Sequence, residues 1–472
     1  MTLAFANPQA ASRPAQAPAT RRAFPAARAY LAVAACLAPV CVPEGPGQTA
    51  LLDFLNLAVL AVASLALLVP GRRVRMPMML PMVLVAIGSL LATFTAPSLK
   101  LATLALAQDV YLFAWFLLVV NLVRDAASLR TLQVAWMWTA VAISLGALGQ
   151  VLAHSGGSLA GLLGSRGLRP WSTLYNPNML ADYLVISVFV TASASASLPR
   201  LVRWAVFGVL ALGLLTTKSN GGMIALASGL VVWTMVRAAI RSASPQRWLA
   251  GLALVVSLAG VGTWLQVEWG VADSLLASLR QHTFVGRMAH SSESRLRIWD
   301  QLERSYARSP LGIGPGNSGA IALSITERER PGSYMSKEAH SDYLAFAIER
   351  GPLGVLGLLL MTATGFVCVA RYWGHAGDPA KRTRGAGVWT AGMAAALAAS
   401  AVHSTVIEKL HFRHFWLLLA MVCGSMYLAA QQAAEAAEAA PEIALPPAAP
   451  IGSRARLALR TGTERAPREV RS

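Results

Sequence analysis

The chain has 472 residues, of which 55% are hydrophobic and only 13% are charged. Soluble proteins carry about 25% charged residues, so this composition excludes an ordinary soluble protein and indicates one that crosses a membrane several times. The formal net charge of +18 does not indicate nucleic-acid binding, because Lys and Arg lie in short segments between apolar stretches and in the tails, not in a basic helix or an aromatic patch.

In chain order, the sequence begins with a tail over residues 1–27 that is rich in Ala, Pro and Arg, and we expect it to be disordered. Apolar stretches follow, each long enough to cross a bilayer, and they must be helical because backbone amides in hydrocarbon need partners within the segment. The polar stretch 431–472 closes the chain as a second disordered tail. The predicted spans are residues 28–43, 50–69, 76–97, 101–123, 129–153, 177–198, 201–217, 221–240, 247–267, 340–370, 386–405 and 412–430.

The fold class is therefore all-α: a polytopic membrane protein with about 12 transmembrane helices and one long outer loop over residues 268–338. The short loops predict the orientation, because Lys and Arg are more frequent in the loops that lie inside when the N-terminus is cytoplasmic. Both tails are then cytoplasmic and the long loop is outside. The basic residues assigned to the short outer loops are Lys100, Arg166, Arg169, Lys218, Lys409 and Arg413.

The long outer loop contains a segment with helical periodicity. Ile298, Leu302 and Tyr306 lie at helical spacing, which predicts an amphipathic helix over residues 294–307. The glycine-rich residues 310–316 then end that helix in a turn. This turn has neither a preceding strand nor the Lys-Ser/Thr pair of a phosphate-binding loop, so nucleotide binding is not indicated.

Ionisable residues also occur where a span begins. His340, Ser341 and Asp342 open the tenth span, and Glu349 and Arg350 interrupt its apolar run. Such a cluster at a membrane boundary is a functional-site hypothesis. A histidine in contact with water at a helix end is the alternative interpretation.

The motifs resemble, in order, those of the O-antigen ligase and Wzy-type polymerase superfamily. His340-Ser341, nine residues and then Gly351-Pro352 is similar to one family signature, and residues 295–299 with 310–314 are similar to another. Arg169 followed by the Asn-Pro-Asn stretch at residues 176–181 is similar to a third. The resemblance covers roughly residues 161–360 and implies that residues 28–430 form one ligase-like transmembrane domain.

Two positions depart from the family pattern. Ser172 stands where the family usually has glycine. The family's Ser-Arg-Gly sequence reads Ser219-Asn220-Gly221 here, so Asn220 replaces an arginine. Lys218 can supply the missing positive charge, but as a point charge and not as a bidentate guanidinium.

The resemblance implies a glycosyltransferase at the outer face of a bacterial inner membrane. Its donor is a glycan on an undecaprenyl-diphosphate carrier, and its acceptor is a hydroxyl of lipid A-core for a ligase or of another lipid-linked glycan for a polymerase of O-antigen or exopolysaccharide. Transfer to a protein hydroxyl is a third possibility within the superfamily, and a membrane transporter is the alternative from a different class. Few mid-span charges and no convincing broken helix in the sequence argue against transport.

The resemblance also implies roles for individual residues. Arg169 and Arg295 bind the diphosphate, because guanidinium pairs with phosphate oxygens bidentately, while Lys218, Asn178 and Arg297 are further substrate-binding candidates. His340 removes the proton of the acceptor hydroxyl or donates a hydrogen bond to the diphosphate, and the sequence leaves both roles open.

This interpretation requires no cofactor and only a few partners. No metal-ligand spacing occurs, so we expect a metal-independent enzyme without cofactors. The expected partners are the lipid-linked donor, the acceptor glycolipid, membrane lipids and polysaccharide-assembly proteins, without nucleic acid.

Five more polar residues have no assigned role. We expect Asp109 and Asp182 to face the interior of the helix bundle and not the lipid. His403, His411 and His414 are placed near the last outer loop, where they either line the site or lie in the wet interface.

Overall fold

The computed structural model describes residues 25–41, 50–67, 74–155, 168–242, 284–319, 339–376 and 384–439. Within those ranges the chain is helical and contains no β-strand. One short 3-10 turn spans Ser195–Ser197. The helices are α1 (Pro25–Leu37), α2 (Leu51–Leu67), α3 (Met79–Thr93), α4 (Leu99–Leu122), α5 (Ala126–His154), α6 (Pro177–Ala194), α7 (Arg200–Thr217), α8 (Asn220–Ser242), α9 (Phe284–Arg308), α10 (Asp342–His375), α11 (Arg384–His403) and α12 (Arg413–Ala439).

These helices confirm a polytopic helical membrane protein. In the described part of the chain, eight helices are long and apolar enough to cross a membrane, namely α4 to α8 and α10 to α12. The helices α1, α2 and α3 are apolar but shorter. Every predicted span except residues 247–267 coincides with a helix, and that span lies outside the described residues, so the number of twelve stays a prediction.

Both predicted tails are shorter than expected where the structure describes them. Residues 25–27 already belong to α1, and α12 continues through residues 431–439. Residues 431–439 continue the helix because they are rich in Ala and Glu, which favour helix. Gln431 also donates a hydrogen bond of 2.9 Å to Glu435 one turn later. The remaining tail residues, 1–24 and 440–472, lie outside the described residues.

The interior of the bundle is formed mainly by α6 and α11. Within their most apolar stretches, 78% of α6 and 83% of α11 is buried, against 33% for α7 and α8. Small residues make this possible, because α11 carries an alanine-rich face on which α6 and α8 pack closely. Polar side chains on α6 and α11 therefore face protein and not lipid.

The amphipathic helix predicted in the long outer loop is confirmed. It lies within α9, which begins ten residues earlier than predicted, at Phe284. Ile298 and Leu302 are buried, and they pack with Ala339, Ala345 and Ile348 at the start of α10. This apolar contact fixes α9 beside the beginning of α10. The rest of the predicted loop, residues 268–283 and 320–338, lies outside the described residues.

Candidate functional site

The Asn-Pro-Asn motif begins α6 and positions an arginine. Asn176 precedes the helix and its side chain accepts a hydrogen bond of 2.8 Å from the Asn178 amide, while Pro177 occupies the first turn. The Asn178 side-chain oxygen then accepts hydrogen bonds of 2.9 Å from Arg169 and from Ser219. Asn178 therefore joins Arg169 to the turn between α7 and α8.

That turn contains Lys218 and, at Asn220, one of the two departures from the family pattern. Lys218 ends α7 in the left-handed conformation, with φ of 54°. Arg169 also donates a hydrogen bond of 2.9 Å to the carbonyl of Thr217, directly before it. The structure thus brings Arg169, Asn178 and the Lys218 backbone together, with Asn220 at the start of α8.

The departure at Ser172 has a visible backbone reason. Ser172 adopts φ of 48°, a left-handed conformation in which glycine costs least. Its amide donates a hydrogen bond of 2.9 Å to Gln150 on α5, which stabilises the turn before α6. The left-handed backbone conformation therefore gives a physical reason for glycine at this position.

Arg295 lies on α9 one helical turn before Trp299. The Trp299 indole donates a hydrogen bond of 2.8 Å to the carbonyl of Ala339, the residue before His340. Because residues four apart share a helix face, Arg295 lies on the face of α9 that contacts the segment around His340. Arg297 lies on this helix as well, but its side chain is outside the described part of the structure.

Arg169, Arg295 and His340 form what we call the arginine–histidine cluster, in which the charges act on one another. Burial, and after it the positive charge of Arg169, lower the pKa of Arg295 to about 10. Burial likewise lowers the pKa of His340 to about 4, with the charge of Arg295 as the second cause. His340 is therefore neutral at pH 7 in the empty site, and an anion would relieve the repulsion between the arginines.

The residues after His340 connect the cluster to the last outer loop. Ser341 precedes α10, and its side chain accepts a hydrogen bond from Leu344. The Asp342 amide donates to the Ser404 carbonyl over 2.9 Å, and its carboxylate accepts a hydrogen bond of 2.9 Å from the Lys409 amide. The loop over residues 404–412 is thereby held against the start of α10.

A buried network centred on Asp182 holds the same loop from the other side. The Asp182 carboxylate contacts Lys409, His403 and His414, each over 2.9 Å, and all four side chains are almost completely buried. We call this the Asp182 network. It confirms that Asp182 faces the bundle interior, and it shows that His403 and His414 are not in a wet interface.

Lys409 and Arg413, two of the basic residues predicted to lie in short outer loops, form buried ion pairs instead. Lys409 is fully buried against Asp182, and Arg413, at the start of α12, pairs with Asp53 on α2. A buried cation beside a carboxylate is an internal ion pair, so neither residue belongs in a count of solvated loop charges. His411, next to them in the chain, is partly exposed.

The glycine-rich turn and the Gly351-Pro352 motif fit each other. Gly351 has φ of 64°, which breaks α10, and a Cβ there would lie 2.6 Å from the carbonyl oxygen of Leu311. The amide of Ile313 donates a hydrogen bond of 2.8 Å to the carbonyl of Ile348 at this break. The turn is therefore a packing element against α10, which agrees with its dissimilarity to a phosphate loop.

Charged side chains surround this break. Arg350 forms ion pairs of 2.9 Å with Asp109 on α4 and with Glu349, and Glu349 accepts a hydrogen bond of 2.6 Å from Ser318. The expectation that Asp109 faces the interior is confirmed. The expectation of few mid-span charges and no broken helix is wrong, because α10 is broken beside the buried Glu349 and Arg350 and the half-buried Asp109; the glycine-rich turn fills the break.

Sequence reasoning did not connect these networks to the site. The signal was present, since ionisable residues within apolar spans are costly and usually functional or paired, but their partners lie far apart in sequence. In the ranges that the structure describes, no three His, Cys, Asp or Glu residues are arranged to hold a metal ion.

Comparison with known families supports the resemblance drawn from the motifs. Residues 205–359 match the family model described as O-antigen ligase. The matched residues make up about one third of the chain, and over this region the chain is similar to the O-antigen ligase family. The matched O-antigen ligase region includes Lys218, Arg295 and His340, and it begins after Arg169 and Asn178, which are connected to it by the contacts above. No curated protein sequence matches the chain significantly.

Proposed function

We propose that this protein is a glycosyltransferase that moves a glycan from an undecaprenyl-diphosphate carrier to a hydroxyl of lipid A-core at the outer face of the inner membrane. The observation that carries the proposal is the arginine–histidine cluster. The two arginines repel each other and would both be stabilised by a diphosphate, while the neutral histidine beside them can accept the proton of a hydroxyl. The cluster therefore fits a site that binds a diphosphate and a hydroxyl at the same time.

The reaction assigns a task to each residue of the cluster. The acceptor oxygen forms a bond to the anomeric carbon, and the bond from that carbon to the phosphate oxygen breaks, so the electron pair leaves with the diphosphate. Arg169 and Arg295 stabilise the negative charge that develops there, with Lys218 and Arg297 as further cationic contacts. Asn178 keeps Arg169 in place.

His340 is the proton acceptor in this proposal. Its lowered pKa of about 4 leaves the imidazole neutral at pH 7, so a ring nitrogen lone pair is open to the hydroxyl proton. When the diphosphate binds, its negative charge offsets the charge of Arg295 and raises the pKa of His340 toward its usual range. The donor therefore makes His340 a stronger base at the time it is needed.

The experiment is a glycan profile of cells that lack this gene, complemented with the wild-type protein or with His340→Ala. Lipopolysaccharide, secreted polymer, glycoprotein and lipid-diphosphate intermediates are measured together. Polymer that accumulates on the lipid carrier together with bare lipid A-core supports the ligase, and the His340→Ala strain should match the deletion.

Other outcomes separate the alternatives. Single repeats in place of long chains indicate a polymerase, and loss of glycan from protein alone indicates a protein glycosyltransferase. An unchanged profile in all pools contradicts the transferase and favours a transporter.

A further inference from the structure

The Asp182 network leaves one nitrogen of His403 without a partner. The Nδ1 atom of His403 lies 2.9 Å from the Asp182 carboxylate, while its Nε2 atom is buried and has no hydrogen-bond partner among the described residues. An unpaired buried polar atom costs about 1–3 kcal/mol. Other buried side-chain atoms in the described residues also have no partner, so the position of this atom, and not its burial alone, makes it a candidate for a ligand contact.

The hydrogen bonds of the Asp182 network determine which ring nitrogen of His403 carries the proton. Lys409 donates to Asp182 and twice to Ser400, at 2.6–2.9 Å, which accounts for its three protons. This arrangement requires Asp182 to be a carboxylate, so the imidazoles donate to it. His403 then holds its proton on Nδ1, and its Nε2 is a hydrogen-bond acceptor with a free lone pair.

The free nitrogen lies beside the arginine–histidine cluster. A Cβ at Gly221 would lie 3.1 Å from the Nε2 atom of His403, so this edge of the ring faces the start of α8, next to Asn220. The Asn220 side-chain oxygen is also buried without a partner among the described residues. The charge of Arg295 acts on His403 as well as on His340.

Other charged groups around His403 do not supply a hydrogen bond to Nε2. Asp182 comes from α6 and contacts Nδ1, whereas Lys409 contacts the carboxylate. Arg295 approaches from α9 and acts through its charge. A sugar hydroxyl can donate to a neutral acceptor such as Nε2, whereas a phosphate cannot.

We propose that His403 is a glycan-binding residue of the site: its Nε2 atom accepts a hydrogen bond from a sugar hydroxyl, and Asp182 is the positioning residue that fixes its orientation and tautomer. The proposal rests on the proposed function, since it places this hydroxyl on the donor or acceptor glycan of the transfer reaction. His414 holds the opposite oxygen of Asp182, over 2.9 Å. Its Nδ1 atom is also buried without a partner among the described residues, but its ring packs against Tyr183 and Phe412.

The test compares three variants of the full chain in detergent. In His403→Asn the amide nitrogen takes the place of Nδ1 and keeps the bond to Asp182, but the Nε2 position is lost. In His403→Gln the side-chain amide reaches the Nε2 position and the bond to Asp182 is lost. His414→Gln, the matched control, keeps the contact between its Nε2 position and Asp182.

The substrates are the lipid-linked glycan and the lipid A-core extracted from cells that lack this gene. We expect His403→Asn to lower kcat/KM about 10- to 100-fold at unchanged thermal stability, His403→Gln to retain more kcat/KM than His403→Asn, and His414→Gln to stay within about twofold of wild type. A KM that rises for the donor assigns the hydroxyl to the donor glycan, and a KM that rises for lipid A-core assigns it to the acceptor.

If His403 had only a structural role, His403→Asn would keep a higher kcat/KM than His403→Gln. If His403→Asn keeps wild-type kcat/KM, or if His403→Gln is the weaker variant, the proposal is overturned and Nε2 contacts no more than a water molecule. Wild-type protein that transfers no glycan would instead overturn the proposed function, which keeps the two failures distinguishable.

Discussion

At the scale of single residues, the arginine–histidine cluster is a candidate site in which like charges act on one another without a ligand present. Asn178 and the Thr217 carbonyl, both neutral, hold Arg169 in place, and the apolar contacts of α9 hold Arg295. These two contacts position Arg169 without neutralising its charge. A carboxylate in the same place would compete with the diphosphate.

Removal of Arg295 should abolish transfer without unfolding the protein. We expect Arg295→Ala to lower kcat by about 10² to 10³, because it removes one of the two charges that stabilise the leaving diphosphate. The matched control is Arg304→Ala on the same helix, where the side chain is 70% exposed and pairs with Asp300. Transfer by purified protein is measured, and equal activity of the two variants would contradict the role of Arg295.

The pH dependence of kcat/KM should follow the pKa values of the free enzyme. His340, lowered to about 4, stays neutral as the pH falls through 6.5, so base catalysis is lost only as the pH approaches 4. Arg295, lowered to about 10, loses its charge above that pH. We expect a plateau between these limits, and an acidic half-point near 6.5 would exclude His340 as the base in this environment.

The departure at Asn220 can be tested by charge exchange. If Lys218 supplies the charge that the family's arginine provides, Lys218→Gln should raise the KM for the lipid-linked donor several-fold. The double variant Lys218→Gln with Asn220→Arg should restore it, since a guanidinium returns at the family position. Steady-state kinetics at varied donor concentration give the comparison; a double variant no better than Lys218→Gln would count against this compensation.

At the scale of elements, the break in α10 joins two motifs that are far apart in the chain. The turn after α9 occupies the space that Gly351 leaves open, and Arg350 and Glu349 connect the break to Asp109 on α4 and to Ser318. These contacts determine where the first part of α10 points, and His340 lies at its beginning. The glycine-proline pair therefore acts on the site through helix geometry, from a distance of about three helical turns.

Substitution of Gly351 should disturb both stability and activity. In Gly351→Ala the Cβ would overlap the Leu311 carbonyl oxygen, at 2.6 Å, and the backbone has φ of 64°. We expect a loss of about 1–3 kcal/mol of stability and a strong loss of transfer, because the turn must move. Gly374→Ala in the same helix has nothing within 4 Å of its Cβ and should be neutral. Thermal unfolding in detergent distinguishes them, and equal midpoints would show that the fit of the turn is unimportant.

At the scale of the whole molecule, buried ion pairs connect helices from all parts of the sequence. The Asp182 network joins α6 to α11, α12 and the loop 404–412, and the pair of Asp53 with Arg413 joins α2 to α12. Each pair is costly in an apolar bundle unless every partner is in place. These networks therefore favour one arrangement of the helices over others with similar apolar packing.

The orientation of the bundle gives a prediction at the same scale. If the site lies outside and both termini lie inside, as the loop charges predict, a cysteine at Arg304 should react with a membrane-impermeant maleimide in intact cells. A cysteine at Arg200, the first residue of α7, should react only after permeabilisation. The background replaces Cys36 by Ser, since the other three cysteines are buried. Labelling of Arg200→Cys in intact cells would mean the opposite orientation.

The sequence alone determined the fold class and the position of most spans, and its motifs indicated the resemblance to the O-antigen ligase superfamily. Apolar length, loop charge and motif order are local properties, so Arg295, His340 and the amphipathic helix within α9 could be found without coordinates. The helix boundaries at residues 25 and 439 were missed because helix propensity continues past the apolar stretch.

Only the tertiary structure decided which polar residues meet. Asp182 and Lys409 lie 227 residues apart, and Asp109 and Arg350 lie 241 apart, so no local pattern could pair them. The contact between the glycine-rich turn and Gly351 could not be predicted either, because it depends on the backbone angle of Gly351. The cost of burying an unpaired charge selects these partners, and that cost exists only once the helices have packed.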